Sequence, residues 1–392
     1  TAVYTRMMRD PAWGLKLTGK EGPHTVGAYV VKDDVTNLIR PGSESSDFTS
    51  LEQGNTSTVL RYRYDIGSHL TLGGLFTDRK GTDYLNRVAG IDADIRLSPR
   101  DRILAQVLNS KTRYPDEVIE DFDQPEGDLD DWAAEVIYLH ETRTWEWWAV
   151  YSDVGTDFRA DLGFMPWVDR VIYEAGAGYT WNATDTSWYT RLNLKSKIAH
   201  VVDQTGFVLF HEDVIQFTLE GPIQSHSVIR PSRVREGYNG QNFDFNRLRL
   251  HFCGKPNGHS QIWLNLTGGG QLDYANTRPG DFINFDGGFW YRIGHHFYIE
   301  SKYTRERMTV DEGWLYTTAI GQLQASWQFN PRCFVRAIIQ HVDNRFNPDL
   351  YTDDRDPEYQ RFFTQLLFSY KLNPRTVLFV GYSDNSAATQ DY

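Results

Sequence analysis

Apolar and polar residues alternate at every second position along most of this sequence, and this pattern constrains the fold more than any other feature. Near residues 188–198, Leu192 and Leu194 fall on one side, whereas Arg191 and Lys195 fall on the other. A period of two is typical of a β-strand with one apolar and one polar face. The same pattern recurs near residues 89–97, 132–138 and 315–329. Such strands suit either a soluble sandwich or a membrane-embedded barrel.

Composition excludes several classes of protein. The chain has 392 residues, 12 Trp, 22 Tyr and a net charge of −12, and its mean hydropathy is −0.52. This aromatic content argues against intrinsic disorder, and no apolar run approaches the roughly 20 residues that a membrane-spanning helix needs. An acidic chain without a basic stripe is a poor ligand for nucleic acid. A transmembrane β-barrel tolerates both the polar hydropathy and the many aromatic residues.

The connections between the predicted strands favour the barrel over the sandwich. Short Gly-containing or Asn-Pro turns, such as Asn330-Pro331 and Asn373-Pro374, alternate with longer polar segments. The longer segments lie near residues 33–55, 113–131, 154–168, 273–280 and 344–358. Outer-membrane barrels combine short periplasmic turns with long extracellular loops. We therefore predict an all-β fold, a transmembrane antiparallel β-barrel of about 20–22 strands. Residues 1–392 are expected to form one outer-membrane β-barrel domain that lacks an N-terminal periplasmic domain and the closing strand.

Three segments carry a resemblance to a known family, and they are residues 4–8 (YTRMM), 15–20 (LKLTGK) and 158–166 (FRADLGFMP). In this order they resemble a family of proteobacterial outer-membrane β-barrels of unknown function. In that family the barrel commonly follows a periplasmic module similar to family 9 carbohydrate-binding modules, and that module is absent from this sequence. The resemblance implies the barrel fold, and it implies no catalytic residues.

The sequence contains no recognisable catalytic, cofactor-binding or metal-binding motif. The sequence has no Gly-x-Ser-x-Gly elbow, P-loop or His-Glu-x-x-His motif. Cys253 and Cys333 are expected to be unpaired and mostly buried. Residues 116–131 contain nine Asp or Glu residues. This acidic loop is either a solvated, mobile extracellular loop or a calcium site, since Ca²⁺ prefers oxygen ligands; no other cofactor is predicted.

Charged residues on the polar faces of the strands are the candidate pore-lining residues. They are Arg61, Arg63, Asp92, Asp94, Glu135, Glu174, Arg191, Lys195, Lys197, Arg247, Arg249 and Glu300. Rings of charge tune solute selectivity in a pore. Charges of both signs also form salt-bridge networks that support a barrel wall, and the mixture argues against strong selectivity for anions or cations.

Residues 155–169 form the candidate constriction loop. This connection is too apolar to remain fully exposed to water. Its candidate residues are Phe158, Arg159, Asp161, Phe164, Met165, Pro166 and Trp167. We predict that it folds against the barrel mouth, with Arg159 and Asp161 pairing with charges on the wall. The alternative is a loop that packs on the rim without restricting a pore.

The function predicted from these features is a pore or transport channel in the bacterial outer membrane, for oligosaccharides or other small solutes. The alternative is a scaffold barrel that encloses or anchors a partner, such as a surface lipoprotein or an electron-conduit component. An enzyme is disfavoured because no catalytic set is found. The expected partners are outer-membrane lipid, lipopolysaccharide and a protein partner or plug, with no nucleic acid.

Overall fold

A computed structural model describes residues 3–122 and 124–389 of the chain. These residues form twenty-two β-strands, one α-helix and three short 3-10 helices. Twenty of the strands belong to one sheet, and β3 and β4 form a separate two-stranded hairpin. In the described part of the chain, no helix has both the length and the apolar character needed to span a membrane.

The chain divides into two compact units. Unit 1 comprises Thr1–Gly178 and Lys197–Glu212, and unit 2 comprises Tyr179–Ser196 and Asp213–Tyr392. The first strands of unit 1 are β1 (Pro11–Glu21), β2 (His24–Asp33), β3 (Thr36–Pro41), β4 (Ser46–Leu51) and β5 (Asn55–Ile66). They are followed by β6 (Leu70–Lys80), β7 (Leu85–Arg96), β8 (Asp101–Arg113), the helix α1 (Asp116–Phe122), β9 (Asp128–Glu141) and β10 (Trp145–Val154). The next three strands contribute residues to both units and are β11 (Arg170–Asn182), β12 (Arg191–Val202) and β13 (Val208–Gly221).

The remaining strands belong to unit 2. They are β14 (Ser225–Tyr238), β15 (Gln241–Asn257), β16 (Ser260–Asp273), β17 (Arg278–Ile293), β18 (Phe297–Val310), β19 (Gly313–Asn330), β20 (Cys333–Phe346), β21 (Glu358–Asn373) and β22 (Thr376–Thr389). Strands β14 to β22 pair with their neighbours in chain order, and every pair is antiparallel. In unit 1, β1, β2 and β5 to β10 pair in the same way. This sequential pairing is the topology of an up-and-down barrel.

The two-residue alternation gives the sheet of each unit an apolar and a polar face. In unit 1, Leu60 and Ile91 on the apolar face are exposed, as expected for a surface that meets lipid rather than a protein core. In unit 2, Ile262 and Ile283 on the apolar face are likewise exposed. Leu194 and Ile198 of β12 are exposed, whereas Asn193, which precedes Leu194, is buried. The pattern of β12 therefore matches the predicted alternation.

The connections differ from the predicted alternation of lengths in unit 2. In unit 1 the longest connections span residues 34–54, 114–127 and 155–169 at one end of the strands. Among the described residues of unit 2 that follow β14, only residues 347–357 form a comparably long connection. The connection after β14 is the two-residue turn Asn239-Gly240, in which both residues have positive φ. An Asn-Gly pair favours the tight turn of a β-hairpin, and this local signal explains the short connection.

The structure corrects the interpretation of the acidic segment at residues 116–131. Its first part forms α1 and its last residues begin β9, whereas the sequence predicted a solvated loop. Val118 and Leu129 are buried in a cluster with Leu38, Tyr84 and Tyr114. These two apolar side chains anchor the segment, so the prediction of a mobile loop is wrong. Asp123 lies outside the described residues. Both cysteines are unpaired as predicted, but they are half-buried rather than mostly buried.

Candidate functional site

Residues 155–169 fold back onto the polar face of unit 1, and we call this segment the docked loop. Phe158 is completely buried and packs in one cluster with Val88 of β7, Leu108 of β8 and Ala133 of β9. Leu162 is also buried. Burying a large apolar side chain is worth roughly 1.5–3 kcal/mol, which helps to offset the entropy lost on ordering the loop. The apolar composition of the segment therefore explains why it lies on the sheet.

Asp161 is the polar anchor of the docked loop. Its carboxylate accepts hydrogen bonds from the Tyr84 hydroxyl at 2.7 Å and from the Tyr114 hydroxyl at 3.1 Å. Its backbone N–H donates to Oδ1 of Asn86 at 3.1 Å. Burial raises the pKa of Asp161, although both tyrosines and the arginines Arg79 and Arg159 favour the ionised form. Burial also raises the pKa of each tyrosine well above its ordinary value.

Arg79 connects three separate segments under the docked loop. Its side chain is completely buried. Its guanidinium donates to the carbonyl oxygen of Asn37 at 2.7 Å, of Asp161 at 3.2 Å and of Met7 at 3.4 Å. A guanidinium carries five N–H donors in a fixed plane, so one side chain can bind several carbonyls. Arg79 thus joins the docked loop to β3 and to the segment that precedes β1.

Further hydrogen bonds to backbone carbonyls hold the docked loop in place. The N–H of Tyr4 donates to the carbonyl of Leu162 at 2.6 Å. The N–H of Val168 donates to the carbonyl of Gly42, which lies in the turn between β3 and β4. The Arg170 guanidinium donates to the carbonyl of Ser43 from Nε at 2.9 Å. The docked loop is therefore held between the sheet below it and two other chain segments beside it.

The predicted residues of the docked loop differ in their exposure to solvent. Phe158, Arg159 and Asp161 are buried, whereas Met165 and Pro166 are half-buried. Phe164 and Trp167 remain exposed, at 44% and 40% of their full surface. The prediction that Arg159 pairs with an acidic residue on the wall is wrong. Its guanidinium donates instead to the carbonyls of Thr156 and Phe158 within the loop, because the loop bends tightly enough to bring these acceptors closer.

The burial of Asp161 predicts a pH dependence of loop docking. A free aspartate carboxyl has a pKa of about 3.9. Burial raises the pKa of Asp161 above this value in the docked state. The contribution of Asp161 is therefore fully present below the free value and is lost as the pH rises through the raised pKa. We expect hydrogen exchange of residues 155–169 to report weaker docking at pH 7 than at pH 4. Asp161→Asn should remove this part of the pH dependence, and identical profiles for both proteins would contradict the assignment.

A polar cavity of about 270 Å³ lies on the same face of unit 1. Five of the predicted pore-lining residues border it: Arg61, Arg63, Asp92, Asp94 and Glu135. The Arg61 guanidinium forms a fork with the Asp92 carboxylate, in which Nη2 and Oδ1 are 2.8 Å apart. Asp94 forms a second fork with Arg102. Among the described residues, Arg63 and Glu135 make no ion pair within 4 Å, so one charge of each sign is available to a solute.

Gly73 leaves room for the fork between Arg61 and Asp92. A Cβ at position 73 would lie 2.6 Å from Arg61 Nη2 and 2.5 Å from Asp92 Oδ1. We expect Gly73→Ala to destabilise the protein by about 0.2–1 kcal/mol in urea unfolding, because it displaces the ends of a partly exposed ion pair. Gly74→Ala is the matched control, since its Cβ would approach nothing closer than 4.0 Å. Equal stabilities of the two variants would contradict this role of Gly73.

Glu174 and Lys197 meet in unit 1. Lys197 Nζ lies 3.5 Å from Glu174 Oε2 and 3.4 Å from Glu212 Oε2. The Trp148 indole N–H donates to Glu174 at 2.8 Å. The geometry is that of one cation shared between two carboxylates, which leaves a net charge of −1 at this point.

The remaining candidates belong to unit 2 and do not converge on one point. Arg191 forms an ion pair with Glu220. Arg247 lies 3.0 Å from Glu236, and Lys302 lies 2.9 Å from Glu300. Arg249 lies opposite Arg230 in the register of β14 and β15. Lys195 is half-buried on the polar side of β12.

Sequence reasoning missed the residues that hold the docked loop from below. Arg79, Tyr84, Asn86 and Tyr114 were not predicted as site residues. Alternation places Arg79 on the polar face, and nothing local distinguishes it from Arg61. The described residues contain no group of three or more His, Cys, Asp or Glu side chains placed to hold a metal ion.

Comparisons with known proteins give matches only among solved structures. No family model matches the sequence, and no curated protein matches it. The copper transporter OprC aligns with 91% of this chain and 69% of its own chain, at 11% identity and a TM-score of 0.52. OpdK of Pseudomonas aeruginosa with vanillate aligns with 92% of this chain and 99% of its own, at 12% identity and a TM-score of 0.43. Outer-membrane-expressed OmpT of Vibrio cholerae aligns with 84% and 90%, at 12% identity and a TM-score of 0.31.

The likeness to OprC concerns the fold alone, because the sequences are only 11% identical. Together with the sequential antiparallel pairing and the exposed apolar faces, it identifies the fold as that of a transmembrane antiparallel β-barrel. The predicted fold class is confirmed.

Proposed function

We propose that this chain forms a pore or transport channel in the outer membrane of a Gram-negative bacterium. The observation that carries the proposal is that the polar face of unit 1 bears both the docked loop and a charged cavity. Polar groups are costly to bury in lipid, so the charged face suits contact with water and the exposed apolar face suits the bilayer. A loop that leaves the strand ends and covers part of the polar face would narrow the water-filled path.

Conductance in planar bilayers tests this proposal. The purified, refolded chain should produce discrete, ohmic current steps in a potassium chloride solution. Folding is verified first by the change in electrophoretic mobility on heating that stable barrels show. A folded protein that inserts into the bilayer without any conductance would contradict a pore. The proposed role is transport and includes no catalytic step.

Small neutral solutes such as oligosaccharides are the proposed cargo. The polar face of unit 2 carries many amide side chains, among them Gln261, Asn265, Gln322, Gln324 and Gln340. Amides both donate and accept hydrogen bonds, as sugar hydroxyls do, so such a face can exchange bonds with a passing sugar. Liposome swelling with sugars of increasing size tests this. Exclusion of even a monosaccharide by a conducting pore would contradict it.

A scaffold that encloses or anchors another protein is the second candidate. The exposed rings of Phe164 and Trp167 on the docked loop favour it, since exposed aromatic side chains are frequent in protein interfaces. Purification from native membranes tests this function. A partner that co-purifies with the natural protein but not with a Phe164→Ser/Trp167→Ser variant would support it.

Lipopolysaccharide is the proposed lipid partner. Arg305 and Arg307 of β18 lie on the apolar face of unit 2, opposite Phe285 and Ile283 of β17. Neither arginine has a carboxylate within 4 Å among the described residues. Arginine on such a face suits a phosphate group at the membrane surface. Replacing both by Gln should weaken co-purification of lipopolysaccharide.

Calcium binding at residues 116–131 stays a prediction, which calorimetric titration with Ca²⁺ can test.

A further inference from the structure

A second cavity, of about 250 Å³, lies in unit 2 under the connection formed by residues 347–357. Four aromatic side chains contribute to its walls. Tyr316 of β19 and Phe346 of β20 contribute rings whose centres are 6.4 Å apart. Tyr351 of the connection adds a third ring, 6.1 Å from that of Phe346. The cavity has no part in the pore function proposed above.

The rings are held in place by the sheet and by polar anchors. Tyr316 and Phe346 are direct partners in the register of β19 and β20. The connection is fixed at Leu350, whose carbonyl accepts hydrogen bonds from Arg278 at 3.0 Å and from Asn276 at 3.1 Å. The cavity therefore has walls that are ordered before any ligand enters.

One cation of the protein itself already occupies part of this aromatic surface. The guanidinium carbon of Arg355 lies 3.5 Å from the centre of the Tyr351 ring and 5.4 Å from that of Phe346. Its Nε donates to Oδ1 of Asp353 at 2.7 Å. Cations are attracted to the faces of aromatic rings within about 6 Å. The cavity thus offers cation–π contacts of the kind that bind a guanidinium or ammonium group.

Two carboxylates at the cavity are already paired, Asp273 with Arg278 and Asp353 with Arg355, and Glu306 adds a further negative charge behind Tyr316. Glu306 accepts hydrogen bonds from the Tyr316 hydroxyl at 2.7 Å and from Asn284 at 3.0 Å, both of which are neutral donors. In residues 3–122 and 124–389, no lysine or arginine lies within 4 Å of Glu306. The connection adds the exposed residues Asp349, Asp354 and Asp356. An incoming cation would therefore meet a favourable potential.

We propose that this cavity binds a small organic cation with a guanidinium or primary ammonium group, which replaces the guanidinium of Arg355 on the Tyr351 ring. The rings supply the contact surface, and Glu306 supplies the uncompensated charge beside it. Arg355 then competes with the free cation for the face of the Tyr351 ring. The affinity for the free cation therefore depends on the free energy needed to move the Arg355 side chain away from this ring.

Calorimetric titration of the full refolded chain with agmatine tests the proposal. Arg355→Gln removes the tethered cation, and we expect agmatine to bind about tenfold more tightly than to the natural protein. Adding Tyr351→Ala to this variant should reverse the gain, whereas adding Tyr351→Phe should retain it. Arg345→Gln is the matched control, because Arg345 pairs with Asp343 and Glu358. It should leave the affinity unchanged.

Two results would overturn the proposal. One is equal agmatine affinity in the natural protein, Arg355→Gln and Arg355→Gln/Tyr351→Ala. The other is a gain in Arg355→Gln that the added Tyr351→Ala leaves intact, which would show a charge effect without a site. If Arg355→Gln does not fold, Glu306→Gln serves instead, with an expected loss of agmatine binding; unchanged binding would overturn the proposal. Because binding is measured without current, a non-conducting protein that binds agmatine would count against the pore alone.

Discussion

Deleting residues 161–166 should raise the single-channel conductance severalfold while the barrel remains folded. The deletion removes Asp161 and Leu162, which anchor the docked loop to the polar face of unit 1. It also removes the carbonyl of Leu162 that accepts the N–H of Tyr4. The shortened loop keeps Phe158 on the sheet but loses its polar anchor and six of its fifteen residues, so it covers less of the polar face. Planar-bilayer recordings of the natural and the shortened protein measure the effect directly.

A deletion in a different connection controls for a general effect of shortening the chain. Residues 184–187 lie between β11 and β12 in a mainly exposed turn. Their removal should leave conductance unchanged. Both deletion variants must show the heat-dependent change in mobility of the folded barrel before they are compared. Equal conductance of the natural protein and the variant lacking residues 161–166 would show that the docked loop only packs on the wall.

The strand faces could be predicted because they follow from local backbone geometry. Successive side chains of a strand point to opposite sides, so the alternation of Leu194 and Lys195 places them on different faces without any knowledge of the neighbours. The docking of residues 155–169 was also predictable in outline, since Phe158 and Leu162 cannot both remain in water. The Asn239-Gly240 pair is a local signal for a tight hairpin turn. The predicted alternation of short and long connections did not take this pair into account.

The contacts that fix the docked loop could not be predicted, because they join residues that are distant in the sequence. Arg79 binds the carbonyl of a residue 82 positions further along the chain. Its surroundings in β6 resemble those of Arg61 in β5, which lies on the same face and forms an ion pair instead. Only the position of the loop distinguishes a buried arginine from one beside an open cavity. The polar partners of Arg159 depend in the same way on the course of the loop.

Arg79→Met should weaken the docking of the loop by about 1–3 kcal/mol for each buried carbonyl that it leaves without a donor. The substitution keeps a long side chain but removes every hydrogen bond to Met7, Asn37 and Asp161. It also leaves the carboxylate of Asp161 buried near a single arginine, Arg159. Hydrogen exchange of residues 155–169 measures the opening free energy of the loop. Arg79→Lys should recover only part of it, because an ammonium cannot reach three carbonyls as a planar guanidinium does.

A double-mutant cycle with Asp161→Asn distinguishes two ways in which Arg79 can stabilise the docked loop, by compensating the charge of Asp161 or by binding the three carbonyls. If Arg79 acts chiefly by compensating this carboxylate, Asp161→Asn should cost much less in the Arg79→Met background than in the natural protein. If it acts chiefly by binding the three carbonyls, the two substitutions should be additive. The three carbonyl bonds, at 2.7 to 3.4 Å, together with the two tyrosine hydroxyls that already satisfy Asp161, favour additivity. A coupling energy comparable to the full effect of Arg79→Met would contradict this and assign the docking to electrostatic compensation.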